Sequence, residues 1–247
     1  MSSTSTTVKR KVKLVISNLS DESRKKIRDN FSDCVKGHHL INEYPIIGTH
    51  WEHLNAEVIV ESGYKIYSQS NGSHKPGKDL SCSIGSFSNK TTKYKPGNTS
   101  FKVSSYRLTA ACRGNDSEKI VEEIERRKNF KYYSILVRSE KKNEIHYDWY
   151  LIPSDYPQFN PRSYIWTPKV GTRGKNKGSM VGWKTNTING SSMSITYETS
   201  SELWINIVIT EEMKTFIIGS CGVNKAADKP INYIQLYQSF HNRESAR

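Results

Sequence analysis

A strict alternation of apolar and polar residues, broken once by a glycine, most constrains what this chain can fold into. Leu80, Cys82 and Ile84 are apolar and Ser81 and Ser83 polar; Gly85 then interrupts before Ser86-Phe87-Ser88-Asn89-Lys90. A period of two marks a half-buried strand, and a glycine within it marks a bend or bulge between two strands. Side chains alternate across a strand, so Ser86, Ser88 and Lys90 share a face and Phe87 takes the other. A polar loop, Ser73-His74-Lys75-Pro76-Gly77-Lys78, delivers Asp79 to the start of the first strand. If the bend lays the second strand beside the first, Asp79 and Lys90 converge at the strand ends. An acid that holds a divalent cation, beside a lysine that orients or deprotonates water, is the minimal kit for metal-assisted phosphodiester hydrolysis.

The flanking segments predict helices and strands in an order that suits a mixed sheet. Ile27, Phe31 and Val35 recur at four-residue steps in a helix over 20–35, with Gly37 and a solvated His38-His39 loop beyond it. Thr49 and Glu52 have capping-box spacing, and Trp51, Leu54 and Val58 continue a buried helical face to 61, with Gly63 as the stop. Glu52 therefore has two open roles, helix cap or acid of a metal site, with Glu57 and Glu61 as alternates on other faces. Residues 61–67 are expected to be the first strand. A helix over 115–128, with Asn115 and Glu118 at cap spacing, precedes strands at 131–138 and 144–152, and Asp148 in the latter is structural. Further strands at 201–210 and 215–221 and a helix at 231–241 complete a single α/β domain: a mixed central sheet flanked by helices, with a β-rich C-terminal region.

Charge narrows the partner. Of 247 residues 37 are Lys or Arg and 24 Asp or Glu, a net charge of +13, which argues for nucleic acid before a membrane. No acid occurs from Tyr156 to Tyr197, whereas Arg162, Lys169, Arg173, Lys175, Lys177 and Lys184 accumulate there among glycines. Within it residues 169–184, with Gly171, Gly174, Gly178 and Gly182, suit a loop whose backbone approaches DNA phosphates closely. Ser104-Ser105-Tyr106-Arg107 offer hydroxyls and a guanidinium for phosphate and base-edge hydrogen bonds, and His74 is a further candidate phosphate contact. No run approaches the ~18 apolar residues of a membrane span, and no secretory leader is visible. The four cysteines have no paired spacing, so reduced core thiols of a cytoplasmic protein are expected.

Pro76-Gly77-Lys78-Asp79 followed by Ser88-Asn89-Lys90, with the 49–61 helix before them, resembles the PD-(D/E)XK nuclease superfamily and within it the type II restriction endonucleases. The resemblance covers residues 49–152. It implies a restriction-endonuclease-like core and Mg²⁺-dependent, sequence-specific cleavage of double-stranded DNA to leave 5′-phosphates. A homodimer reading a palindromic site is implied as well. Asp79 would ligate the metal, Lys90 position the attacking water, and Glu52 complete the metal's charge. Ser88 would occupy the place of the motif's second acid. A serine cannot ionise there, which keeps a non-cleaving nucleic-acid-binding module as the alternative, besides a nicking repair nuclease on the same fold.

Overall fold

Ile27, Phe31, Val35 and His38 form the buried face of helix α1 (Asp21–Ile41). Ser20 caps it by accepting from the Ser23 N–H at 3.1 Å, and Asp21 and Glu22 occupy the first turn, where carboxylates complement the helix dipole. The helix does not stop before Gly37. A side chain there would meet nothing within 4 Å, so the glycine sits on an open face and costs only its propensity. His38 and His39 consequently lie in the last turn, not in a loop: His38 Nε2 is 3.1 Å from the Tyr44 carbonyl oxygen and His39 Nε2 is 2.9 Å from the Tyr147 hydroxyl. Helix α2 (Gly48–Glu61) ends at Gly63, whose φ of 89° lets the Gly63 and Tyr64 amides donate back to Val60 and Ile59. Trp51 of α2 lies edge-on to Phe31 and Trp149.

This computed structural model describes residues 19–70, 77–95, 97–112, 116–198, 200–224 and 231–244. After α2 come β1 (Ile66–Gln69), β2 (Leu80–Cys82), β3 (Gly85–Tyr94) and β4 (Ser100–Arg107), then α3 (Thr109–Cys112) and α4 (Ser117–Arg127). The chain continues through β5 (Tyr132–Glu140), β6 (Glu144–Pro153), β7 (Trp166–Val170), β8 (Met180–Thr185), β9 (Ser192–Thr196) and β10 (Glu202–Val208). A short α5 (Glu211–Lys214), β11 (Ile217–Asn224) and α6 (Tyr233–Glu244) follow. The first strand thus begins at 66, because 61 still belongs to α2. Asp116 caps α4 by accepting from the Glu118 N–H at 2.9 Å; Asn115 lies outside the described residues.

The central sheet has the order β1-β2-β3-β5-β6-β11 and is mixed: β3 and β5 are parallel and the remaining pairs antiparallel. Its middle strand β5 is buried on both faces, which is why Tyr133 to Val137 contains only one polar residue, Ser134. On one face Leu136, Trp149 and Phe87 pack with Phe31, Trp51 and Ile59 of α1 and α2. On the other, Tyr133, Ile135 and Tyr150 share a core with Ile120 and Ile124 of α4 and with Val103, Ile195 and Ile205 of a second sheet. That sheet is antiparallel throughout, in the order β4-β10-β9-β8-β7. The Thr92 hydroxyl, donating to the Lys102 carbonyl, ties β3 to β4 and so joins the two sheets. The molecule is therefore an α/β fold with a mixed central sheet flanked by helices. Among the described residues no helix is long and apolar enough to cross a membrane.

Candidate active site

Asp79 is fixed from both sides before its side chain makes any contact. Its amide donates to the Phe87 carbonyl, and its own carbonyl accepts from Ser70, each at 2.8 Å, so it extends the ladder of β1, β2 and β3. The turn into β3 depends on Gly85, at φ 148°, where a Cβ would come within 2.8 Å of the Tyr132 ring. Pairing of Leu80 with Phe87 then sets Asp79 opposite the segment 88–90. Asp79 Oδ2 accepts from the Asn89 backbone N–H at 2.6 Å and from the Ser88 hydroxyl at 3.3 Å, and lies 3.6 Å from Lys90 Nζ. Lys90 Nζ also donates to the Asn89 carbonyl at 3.0 Å. Ser88 is thus a hydrogen-bond donor to Asp79.

These residues line a cleft of about 530 Å³ together with Glu52, Ser104, Ser105, Tyr106, Arg107, Arg127 and Glu202. Its walls are α2 and β3 on one side and β4 and β10 on the other. The capping-box expectation for Glu52 does not hold: Ile47, not Thr49, is the N-cap of α2, and no side chain caps that end. The Glu52 carboxyl is pushed above its ordinary range by burial and next by the negative charge of Asp79, with Lys90 opposing. Glu57 and Glu61 do not line the cleft; burial, and after it the negative charges of Glu57, Asp33 and Glu61, push the Cys34 thiol up to about 11.

Register slips between Glu202 and Trp204, so β4 carries an extra residue beside the cleft, where bulges commonly re-aim side chains. The Ser104 hydroxyl donates to Glu202 Oε2 at 2.8 Å, and Arg107 Nε is 3.7 Å from Glu202 Oε1. The Tyr106 hydroxyl is buried 3.3 Å from that of Tyr133, and burial raises its pKa strongly. The side-chain amide of Asn89 is buried without a hydrogen-bond partner among the described residues.

Arg127, Glu202, Asn89, Thr91 and Gly48 also line the cleft and went unforeseen. The signal for Arg127 was the Pro-Gly turn. Gly77 has a φ of 96° and leaves no room for a Cβ, which would fall 2.1 Å from the Arg127 carbonyl oxygen, so the loop into Asp79 lies directly on the end of α4. Arg127 Nε donates to Glu123, whose carboxyl is held down to about 2, chiefly by Arg126 and also by Arg127. Lys90 and Arg107 have countercharges within the cleft; the partner of Arg127 lies outside its lining. His74 and Pro76 are outside the described residues.

Within the acid-free segment, residues 169–184 belong to a hairpin of β7 and β8, not to a loop. Lys169 lies on β7 and donates to Thr196 Oγ1 at 2.6 Å, and Lys184 is exposed on β8. Arg173, Lys175 and Lys177 are exposed around a 3-10 turn, Gly174–Asn176, where Gly171 allows the backbone of Asn176 to approach. None of the five lines the cleft, because β8 and β7 are three and four strands from β4, roughly 14–19 Å away. Arg162 is paired with Glu118 and Glu125 of α4 at 2.7 and 2.8 Å.

Among the described residues no three His, Cys, Asp or Glu side chains form a cage for a metal. Asp79 and Glu52 in an open cleft are instead the sparse carboxylate set that suits Mg²⁺, which retains several waters and takes one or two carboxylates. Compared with protein-family models, curated proteins and solved structures, the chain matches none.

Proposed function

We propose that the chain is a Mg²⁺-dependent double-strand DNA endonuclease with a restriction-endonuclease-like core, acting as a sequence-specific homodimer in the cytoplasm. One observation carries the proposal: the Asp79 carboxylate and the Lys90 ammonium meet at 3.6 Å across a hairpin, in a cleft that a second carboxylate, Glu52, also lines. The order of elements supports it too, since α2, β1, β2 and β3 are followed by α4 and by β5 parallel to β3. Asp79 and Glu52 would hold the ion. When bound, the ion supplies stabilisation of the charge on the phosphate oxygens. Ser88 and the Asn89 amide hold Asp79 in orientation, and Lys90 aligns the attacking water and takes part in proton transfer at Nζ. Attack in line on phosphorus displaces the 3′ oxygen and leaves a 5′-phosphate. Arg127 brings positive charge to a phosphodiester in the cleft, and the β7–β8 hairpin adds phosphate contacts outside it.

Ser88 favours the second reading, a DNA-binding module that does not cut, because it stands where the motif's second acid would join Asp79 and Glu52. Incubation with supercoiled plasmid in Mg²⁺ or EDTA, beside Asp79→Ala, separates the two. Discrete fragments that require Mg²⁺ and Asp79 support the endonuclease, and nicked circles alone point to the repair nuclease. Gel shift in Ca²⁺ with intact plasmid in Mg²⁺ would establish the binding module.

A further inference from the structure

The register of the second sheet aligns one row of residues across all five strands, on the face turned away from the core. Ser104 pairs with Trp204, Trp204 with Ser194, Ser194 with Lys184, and Lys184 with Thr167. Alternate residues on the same strands, among them Leu203, Ile205, Met193 and Ile195, are buried. Ser104 lines the cleft, so the row starts at the candidate active site and ends at the far edge of the sheet, roughly 19 Å away at ~4.8 Å per strand.

A solvated face of an antiparallel sheet is polar as a matter of course, and polarity alone identifies no partner. Two further features do. The five strands carry four cations, Lys102, Arg107, Lys169 and Lys184, against one carboxylate, Glu202, which Ser104 and Arg107 already engage. An ordinary solvated face intersperses both signs. Next to Ser104 in the row stands Trp204, 42% exposed, whereas Trp51, Trp149 and Trp183 are buried and Trp166 is half-buried. An indole projecting from a polar sheet face has no core to fill. Cations that follow phosphates around an aromatic plane that meets bases or sugars are the elements of a nucleic-acid surface.

We propose that this outward face is a DNA-binding surface continuous with the cleft, with Trp204 as its aromatic contact and Lys102 and Lys184 as phosphate contacts on either side. The proposal rests on the nucleic-acid reading of the cleft and extends it, assigning the path by which the duplex runs from the cut site toward the β7–β8 hairpin.

The test uses the full chain with Ca²⁺ in place of Mg²⁺ and a labelled duplex, following anisotropy and tryptophan fluorescence together. Bound duplex quenches the wild type. Trp204→Phe keeps its affinity and loses most of the quenching, whereas Trp204→Ala weakens binding about tenfold. Replacing Lys102 and Lys184 by Gln weakens binding and flattens its salt dependence by roughly 0.9 per lysine in log–log slope. All three positions are exposed, so melting temperatures stay near that of the wild type. Binding without quenching, with unchanged affinity in Trp204→Ala and in the double lysine variant, overturns this surface and leaves the endonuclease reading standing. A wild-type chain that binds no duplex at any salt concentration overturns both.

Discussion

The Asn89 backbone N–H donates to Asp79 Oδ2 at 2.6 Å, so the carboxylate is held by the same strand that carries Lys90. Substitution at 79 therefore separates charge from anchorage. Asp79→Asn retains an oxygen that can accept from Asn89, and its melting temperature should stay near the wild type while cleavage is lost. Asp79→Ala removes the acceptor as well and should lose stability, by about 1–3 kcal/mol if the Asn89 amide is left unpaired. Lys90→Ala should slow cleavage by roughly 10²–10⁴-fold, the range of a positioned proton-transfer group. Plasmid cleavage and thermal melts on the three variants check this. Full activity in Asp79→Asn or Lys90→Ala would remove the site from consideration.

Glu52 sets a pH dependence whose sign follows from its surroundings. Burial and Asp79 raise its carboxyl above the ordinary value of 4.5, so the folded chain holds that proton more tightly than the unfolded chain does. The resulting stability is fully present below the unfolded value and is lost as pH rises through the raised folded value. At neutral pH the ionised carboxylate is a cost that a bound cation offsets. Glu52→Gln should therefore melt above the wild type at pH 7 in EDTA, with the gap closing toward pH 4. Mg²⁺ should raise the melting temperature of the wild type more than that of the variant. Equal Mg²⁺ shifts would take Glu52 out of the metal set.

The β2–β3 hairpin was legible because its cause is local: alternation sets the faces and Gly85 makes the turn. Strands β5, β6 and β10 were legible for the same reason, their apolar residues recurring at a period of two or in a continuous run. Boundaries that depend on neighbours were not. Gly37 suggested a stop, yet α1 continues because that position faces open space. The glycines of 169–184 suggested a loop, yet pairing of β7 with β8 makes a hairpin. In the site, Asp79 and Lys90 are eleven residues apart and visible together, whereas Arg127 enters only through the contact of Gly77 with the end of α4. Trp204 becomes conspicuous only once register shows which face it occupies.

Glycine substitutions distinguish these causes. Gly37→Ala meets no atom and adds helix propensity, so it should stabilise the chain by about 0.5–1 kcal/mol. Gly77→Ala combines a positive φ with a 2.1 Å clash against backbone and should cost about 1–3 kcal/mol. Because Gly77 leads into Asp79, cleavage should fall further than stability does. Denaturant titrations give the two free energies, and cleavage measured well below the unfolding midpoint gives the second effect. Gly77→Ala with normal activity would mean that the contact with α4 does not position Asp79.

The β7–β8 hairpin makes a graded prediction about salt, because its cations are not equally available. Arg173, Lys175 and Lys177 are exposed at the tip, Lys169 is held by Thr196, and Arg162 is matched by Glu118 and Glu125. Each phosphate contact releases counterions and contributes roughly 0.9 to the slope of log affinity against log salt. Replacing the three tip residues by Gln should flatten that slope by roughly 2.7, equally for specific and unrelated duplexes. Lys169→Gln should have a smaller effect and Arg162→Gln almost none on binding. The cleft is untouched in these variants, so cleavage at low salt should persist. If Arg173 grips a guanine edge, Arg173→Ala alone should instead relax discrimination at one base pair, by about 1–3 kcal/mol. Anisotropy titrations in Ca²⁺ from 50 to 200 mM salt, roughly the interval over which such contacts lose most of their affinity, distinguish these cases. An unchanged slope in the triple variant would place the hairpin outside the DNA interface.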